Sequence, residues 1–148
     1  MTQSEADKAR EVWNQKHTPV IYRGGVGRPL LFKCPYREDN RIWLQTCQKN
    51  APVWNKEKRH WKLTKSAFNK AINQSLEHWG KIYIIQPFYE FEKCAPSCMT
   101  ATGHVCQCSC MGENHGAGGP NSDWINISDA FSFRWREDSL ACRLLTAK

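Results

Sequence analysis

The sequence has no run of apolar residues that approaches the roughly 20 needed to span a bilayer. Its first residues, MTQSEADKAREVW, also contain no apolar run and do not have the composition of a secretory signal peptide. We therefore expect a cytoplasmic protein without a membrane partner. Disulfides rarely persist in a reducing cytoplasm, so clustered cysteines there are typical of metal sites or redox chemistry.

Internal repeats at solenoid periods and low-complexity tracts are also absent. A chain of 148 residues has the length of one domain, which buries roughly 70% of the surface of its unfolded chain. We predict a single domain over residues 1–148.

Acidic residues are scarce in the first part of the chain. Residues 1–93 contain 17 Lys and Arg but 9 Asp and Glu, whereas residues 94–148 contain 4 and 5. The formal net charge of +7 therefore comes from the first part. Because Lys and Arg neutralise phosphates, this excess favours a polyanionic partner, although a solvated surface would have the same composition.

Apolar periodicity predicts two helices. The first runs from its cap at Ser4 to about Lys16, and the second follows Thr64 and ends at Gly80. The segment YREDNRIWLQTC is typical of either a short helix or a turn followed by a strand.

Runs of β-forming residues predict the strands. Val20–Arg23 and Leu30–Cys34 flank a glycine-rich turn, and residues 81–88 form a further strand. The turn is not a phosphate-binding loop, because no helix follows it. These elements predict an α+β fold: a mainly antiparallel sheet, one or two packed helices and an inserted Cys-rich metal-binding loop module.

The stretch PVWNKEKRHWKL predicts a basic hairpin. A turn centred on Glu57 and Lys58 places Trp54 opposite Trp61. The two rings can pack across the strands as core or stack on exposed bases. Candidate phosphate contacts lie around the turn and at the start of the next helix: Lys56, Lys58, Arg59, Lys62 and Lys65.

A second hairpin is predicted within residues 121–148, where it completes the sheet. With its turn at residues 137–138, one face carries aromatic and aliphatic residues. The other face carries a basic patch of Arg134, Arg136 and Arg143, which adds three candidate nucleic-acid contacts.

The string CAPSCMTATGHVCQCSC places five of the eight cysteines within residues 94–110. Two short segments that present converging sulfurs are typical of tetrahedral zinc sites. We predict a zinc-binding insertion over residues 91–120. Its candidate ligands are Cys94, Cys98, Cys106, Cys108, Cys110 and His115.

Other chemistry fits the same string. An iron–sulfur cluster also uses four cysteines, and disulfides, free thiols or one catalytic thiolate beside His104 or His115 are further alternatives. Cys34, Cys47 and Cys142 lie in apolar patterns and are predicted to be small core residues.

The stretch PVWNKEKRHWKLTKSAFNKAINQSL resembles HARP-like domains, the auxiliary DNA-binding modules of annealing helicases. An aromatic residue, a charged turn, a second tryptophan and a helix follow in that family's order. The resemblance covers about residues 30–80. It implies a ββα-β core over residues 18–90 that binds branched or single-stranded nucleic acid without chemistry of its own. The cysteine string and the missing helicase motor depart from that family.

The run from PVIYRGG to ACRLLT is also similar to a group of small cysteine-rich bacterial proteins, from which no activity carries over. The leading hypothesis is a zinc-stabilised, non-catalytic nucleic-acid-binding protein, with DNA favoured over RNA. A small adaptor or inhibitor from a mobile element, which binds a nucleic-acid-processing or defence protein, is the second hypothesis. The third is a zinc or iron–sulfur metalloenzyme, for which Glu113 is the nearby acid–base candidate.

Overall fold

A computed structural model describes residues 4–24, 28, 30–87, 125–135 and 138–147. These residues form an α+β fold in which helices pack on both faces of one seven-stranded sheet, which confirms the predicted fold class. The helices are α1 (Glu5–Asn14), α2 (Asn40–Gln45) and α3 (Phe68–Trp79). The strands are β1 (Val20–Arg23), β2 (Leu30–Lys33), β3 (Val53–Asn55), β4 (His60–Leu63), β5 (Lys81–Pro87), β6 (Ile125–Trp135) and β7 (Asp138–Ala147).

The strand order in the sheet is β3-β4-β2-β1-β5-β7-β6. The neighbouring strands pair antiparallel except β1 and β5, which are parallel. A parallel pair needs a crossover connection, and here α3 lies on the path between β4 and β5. The chain leaves β5 at Pro87, which pairs with Leu140 of β7, and the cysteine string that follows lies outside the described residues.

One face of the sheet, which we call the two-helix face, packs against α2 and α3. Alternate strand residues such as Ile21, Phe32 and Ile84 point to this side and are fully buried. The apolar stripe of α3 meets them with Phe68 and Ile72. This cluster forms the larger of the two cores described.

The opposite side, the one-helix face, packs against α1. Its buried strand residues include Val20, Ile85 and Cys142, and Ala9 of α1 is buried in the same cluster. The half-buried Trp13 of α1 packs at the margin of this cluster. The central strands therefore carry apolar residues at consecutive positions, because both of their faces are covered.

Local chemistry sets the helix ends. Ser4 Oγ accepts a hydrogen bond from the backbone N–H of Asp7 at 3.2 Å, as predicted for the cap of α1. Helix α3 ends at Gly80, whose φ of 77° is left-handed and whose N–H donates to the carbonyl of Leu76 at 2.9 Å. A 3-10 turn at Lys65–Ala67 precedes α3, so the α-helical part begins later than the sequence predicts.

The ambiguous segment before β3 is helical. In α2, the indole Nε1 of Trp43 donates to Oδ1 of Asn40 at 3.0 Å, and both residues are buried. The helix thereby satisfies the buried indole within one turn. Trp43 also packs edge-on against Phe32, with ring centroids 5.7 Å apart.

Candidate functional site

The tip of the β3–β4 hairpin is a four-residue cationic turn. Its register pairs Trp54 with Trp61 and Asn55 with His60, as the sequence predicts. The N–H of Arg59 donates to the backbone carbonyl of Asn55 at 2.8 Å, and the N–H of Lys58 donates to the side-chain Oδ1 of Asn55 at 2.9 Å. The turn is therefore closed by two hydrogen bonds to Asn55, and the four side chains of the turn are exposed: Lys56, Glu57, Lys58 and Arg59.

The two tryptophans of this hairpin have different roles. Their ring centroids lie 5.1 Å apart, but Trp61 is 8% exposed and belongs to the core, whereas Trp54 is 43% exposed. Arg41 lies over the Trp61 ring, 5.2 Å from its centroid. Trp61 therefore offers too little free surface to stack on a base, and Trp54 retains that capacity.

The next two predicted basic contacts differ in exposure. Lys62 is exposed and pairs across the sheet with Val53 and Leu31, which places it on the one-helix face. Lys65 is half-buried at the start of the 3-10 turn. Lys62 therefore extends the cationic surface of the hairpin tip, whereas Lys65 belongs to the helix start.

The predicted basic patch on the C-terminal hairpin is wrong for Arg143. The predicted turn at residues 137–138 would pair Phe133 with Cys142, but the observed register pairs Phe133 with Leu140 and Phe131 with Cys142. Phe133, Leu140 and Cys142 still share one apolar face, as predicted, and Arg134 is exposed. Arg143, however, pairs with Ile84 and is 2% exposed. Strand β7 lies inside the sheet, between β5 and β6, and is covered on both faces. Arg136 lies outside the described residues.

A groove of about 340 Å³ runs between α1 and the sheet on the one-helix face. Apolar and aromatic side chains from α1, the central strands and the β6–β7 hairpin line it: Trp13, Tyr22, Leu31, Ile85, Phe133 and Leu140. Its charged lining is cationic throughout the described residues, with Arg10, Arg28 and Lys58. Lys58 thus belongs both to the hairpin tip and to this groove.

Trp13, which lines the groove, also belongs to a cluster of aromatic and basic side chains. Lys33 Nζ donates to the backbone carbonyl of Trp13 at 3.3 Å and lies 4.5 Å from the centroid of its ring. His60 also packs against Trp13, with its ring centroid 6.4 Å from that of the indole. These contacts fix the indole of Trp13 where α1 meets the sheet.

Burial and charge change the proton affinity of this cluster. Burial, followed by the charges of Lys33 and Lys58, lowers the pKa of His60. Burial also lowers the pKa of Lys33. Within the described part of the chain, Nδ1 of His60 has no hydrogen-bond partner. The imidazole is therefore held in its neutral form among cations.

The described thiols are unsuited to nucleophilic chemistry. Burial raises the pKa of Cys34 to about 12, and it also raises the pKa of Cys47. Cys142 is fully buried. Because the thiolate is the reactive form, these three positions fit the predicted structural role.

The predicted metal ligands at residues 94–115 lie outside the described residues. In the ranges that the structure does describe, no group of three or more His, Cys, Asp or Glu side chains is placed to hold a metal ion. None of the helices described is long and apolar enough to cross a membrane. Comparisons with protein-family models, curated proteins and solved structures find no match to this chain.

The groove is the feature that sequence reasoning missed. Its lining comes from both ends of the chain, so no local motif contains it. The available signal was the consecutive apolar residues of VIY and LLF in β1 and β2, which is typical of strands covered on both faces. That pattern predicts that both faces of the sheet are packed. Because α1 is the one described helix left for the second face, the cover of that face should be incomplete.

Proposed function

We propose that this chain is a non-catalytic nucleic-acid-binding protein that prefers single-stranded or branched DNA, and that residues 91–120 hold a structural zinc ion. The observation that carries the proposal is the exposed cationic turn at the tip of the β3–β4 hairpin. Lys56, Lys58 and Arg59 project from it with one acidic neighbour, Glu57. Such a turn matches the phosphate contacts that dominate nucleic-acid affinity.

The surroundings of the turn support the same ligand. Lys62 continues the positive charge along β4 on the one-helix face, and Arg28 shares the groove with Lys58. Trp54, beside the turn, has free ring surface for stacking on an unpaired base. The resemblance of residues 30–80 to HARP-like domains supports DNA over RNA in this proposal.

The zinc part of the proposal rests on the cysteine string. Cys34, Cys47 and Cys142 are accounted for in the cores, so the five cysteines of residues 94–110 and His115 are the ligand set. Six candidates exceed the four that close one zinc site, which allows one ion or two ions with bridging thiolates. A cytoplasmic location belongs to this proposal, because thiols stay reduced there.

The test of nucleic-acid binding is the salt dependence of affinity, measured by fluorescence anisotropy with a labelled single strand and a duplex. The variant replaces Lys56 and Lys58 with Gln and Arg59 with Asn. Asn is chosen because Arg59 has a φ of 55°, a left-handed conformation that Asn tolerates. Loss of three phosphate contacts should reduce the slope of log affinity against log salt by about 2 for a single strand.

A matched control removes three exposed charges elsewhere: Lys49→Gln, Lys70→Gln and Lys81→Gln. It has the same net charge as the tip variant, so a general electrostatic effect would weaken nucleic-acid binding equally in both variants. Equal slopes in the two variants would remove the hairpin tip from the interface. No measurable binding by the native chain would overturn the proposed function.

Zinc is tested by elemental analysis of untagged protein purified without chelator. We expect about one or two zinc ions per chain and no visible absorption. Cys94→Ser and Cys108→Ser should each lower zinc content and melting temperature together, because a structural metal contributes folding free energy. Iron together with a broad visible absorption band would show that the cysteines hold an iron–sulfur cluster instead of zinc.

A second function, binding of a protein partner, is favoured by the exposed edge of the sheet. Strand β3 is one of the two edge strands of the described sheet, and Val53 on it is 58% exposed and precedes Trp54. An apolar edge strand can pair with a strand from another protein. Binding of that kind would depend little on salt, so the anisotropy experiment also separates the two functions.

A further inference from the structure

We propose that the groove between α1 and the sheet binds one unstacked nucleotide of a single-stranded nucleic acid. The base lies against the aromatic lining, and its phosphates contact Lys58 and Arg28. This inference rests on the proposed function, and it specifies the part of the protein that holds the base. It distinguishes a single strand from a duplex, because a paired base is not free to enter a groove.

The size and lining of the groove fit one nucleotide. Its volume of about 340 Å³ lies at the low end of small-molecule sites, which span roughly 300–1,000 Å³. The half-buried Trp13 and Tyr22 present aromatic surface to it, with ring centroids 6.4 Å apart and planes at 69°. Aromatic surfaces bind bases of any sequence, since every base has a π-face.

The charge of the groove selects an anion. Arg28 and Lys58 are exposed, and the groove's described lining contains no acidic side chain. Arg10 is the third cation, and it donates to Asp7 at 3.4 Å, so part of its charge is balanced. The charged lining described is cationic and the rest is mainly apolar and aromatic, and a nucleotide supplies both phosphates and an aromatic ring to match the two.

The positions of these groups are set by the fold rather than by the ligand. Lys33 holds Trp13 through its backbone carbonyl and its ring. A Cβ added at Gly24 would lie 2.8 Å from Cβ of Arg28, so glycine allows Arg28 to pack close to the end of β1. A site with ordered contacts before binding loses less entropy when its ligand enters.

The groove is also continuous with the hairpin tip. Lys58 lines the groove and belongs to the turn that carries Lys56 and Arg59. A strand whose phosphates contact the turn therefore passes directly over the groove opening. This continuity favours a nucleotide within a strand over a free nucleotide.

The experiment compares an oligothymidine of about 12 nucleotides with an abasic oligomer of equal length. Both carry the same phosphates, so their difference in affinity reports the bases. We expect the oligothymidine to bind the native chain roughly tenfold more tightly, the effect of one base worth about 1–3 kcal/mol. Equal affinities would overturn the nucleotide groove and leave the proposed function intact. Failure of both oligomers to bind would overturn both.

Filling the groove should reduce the difference in affinity between the oligothymidine and the abasic oligomer. Leu31→Trp enlarges a half-buried residue into the groove, and we expect its preference for the oligothymidine over the abasic oligomer to fall to the part that stacking on Trp54 contributes. The matched control is Ile42→Trp, which adds a tryptophan at a 70% exposed position of α2. This control should keep the tenfold difference. An affinity difference in Leu31→Trp as large as that of the native chain would overturn the proposal.

A measurement on the native chain does not depend on the variant's folding. An oligomer that contains 4-thiothymidine is cross-linked by light, and the modified residues are identified by mass spectrometry. We expect cross-links at Trp13, Tyr22 or Phe133, which line the groove. Cross-links confined to Trp54 and its neighbours would place the base on the hairpin edge and overturn the groove assignment.

Discussion

The two faces of the sheet use the same strands but reach different degrees of burial. On the two-helix face, Leu30 is fully buried beneath α2 and α3. On the one-helix face, its neighbour Leu31 is half-buried and lines the groove beside α1. The two residues are chemically identical and adjacent in β2. The number of covering helices, rather than the composition of the strand, therefore decides which face is core and which is a site.

The faces also differ in charge. The two-helix face holds Cys34 at its margin with a raised pKa, as expected for a dry environment. The one-helix face places Lys33 and Lys58 around a neutral His60. Lys58 is exposed and Lys33 is half-buried, so both cations remain within reach of water, whereas a sealed core would exclude them. A candidate binding site thus arises where the second core is incomplete.

The largest expected effect comes from Leu→Ala substitutions at these two neighbouring positions. Leu30→Ala should lower the free energy of unfolding by about 2–5 kcal/mol, because it leaves a cavity in a packed core. Leu31→Ala should cost about 1 kcal/mol, because its side chain already borders open space. Urea unfolding measures both values. Equal costs would show that the one-helix face is packed as closely as the other.

A smaller effect should appear at alkaline pH. Cys34 has a pKa of about 12 when folded and 9.0 as a reference, so the folded state favours the neutral thiol. Stability is complete below pH 9 and is lost as pH rises toward 12, because the unfolded chain ionises first. At about pH 10, Cys34 should account for a loss of about 1 kcal/mol.

Comparison with Cys34→Ala isolates this loss. The other ionisable groups are common to both proteins, so their contributions to the pH dependence cancel. The native chain should lose about 1 kcal/mol more than Cys34→Ala between about pH 8 and pH 10 in urea unfolding. Identical losses would mean that the margin of the two-helix face is open to water around Cys34.

Local features of the fold could be predicted from the sequence. The turn length in PVWNKEKRHWKL determines the register that pairs Trp54 with Trp61, and the cap at Ser4 and the stop at Gly80 follow from adjacent residues. The strand order could not be predicted in the same way. The parallel pairing of β1 with β5 joins segments about sixty residues apart, and no local pattern specifies that partner.

The error at Arg143 has a similar cause. Period-two alternation in β7 separates Leu140 and Cys142 from Arg143, and a charged residue opposite an apolar face indicates solvent. The pattern does not show that β5 and β6 flank β7 or that α3 covers its other face. The groove escaped prediction for the same reason, since it depends on how distant segments meet.

The smallest expected effect tests whether Lys58 lies over the one-helix face. Burial is the main cause of the lowered pKa of His60, and the charges of Lys33 and Lys58 add to it. Lys58→Gln should therefore raise that pKa slightly, measured by NMR titration of the imidazole. The change should be modest, because Lys58 is exposed and water screens its charge. Lys49→Gln, which removes an exposed charge outside this cluster, should leave the pKa unchanged.

The same titration has a consequence for stability. Because the pKa of His60 is lowered by folding, the neutral imidazole stabilises the fold above pH 6.5, its reference pKa. As pH falls below that value, the unfolded chain binds a proton first, and the free energy of unfolding decreases until the folded pKa is passed. Lys58→Gln should make that decrease smaller. An unchanged His60 pKa in this variant would place the Lys58 ammonium away from the cluster and remove it from the groove, leaving Arg28 and Arg10 as the groove's cations.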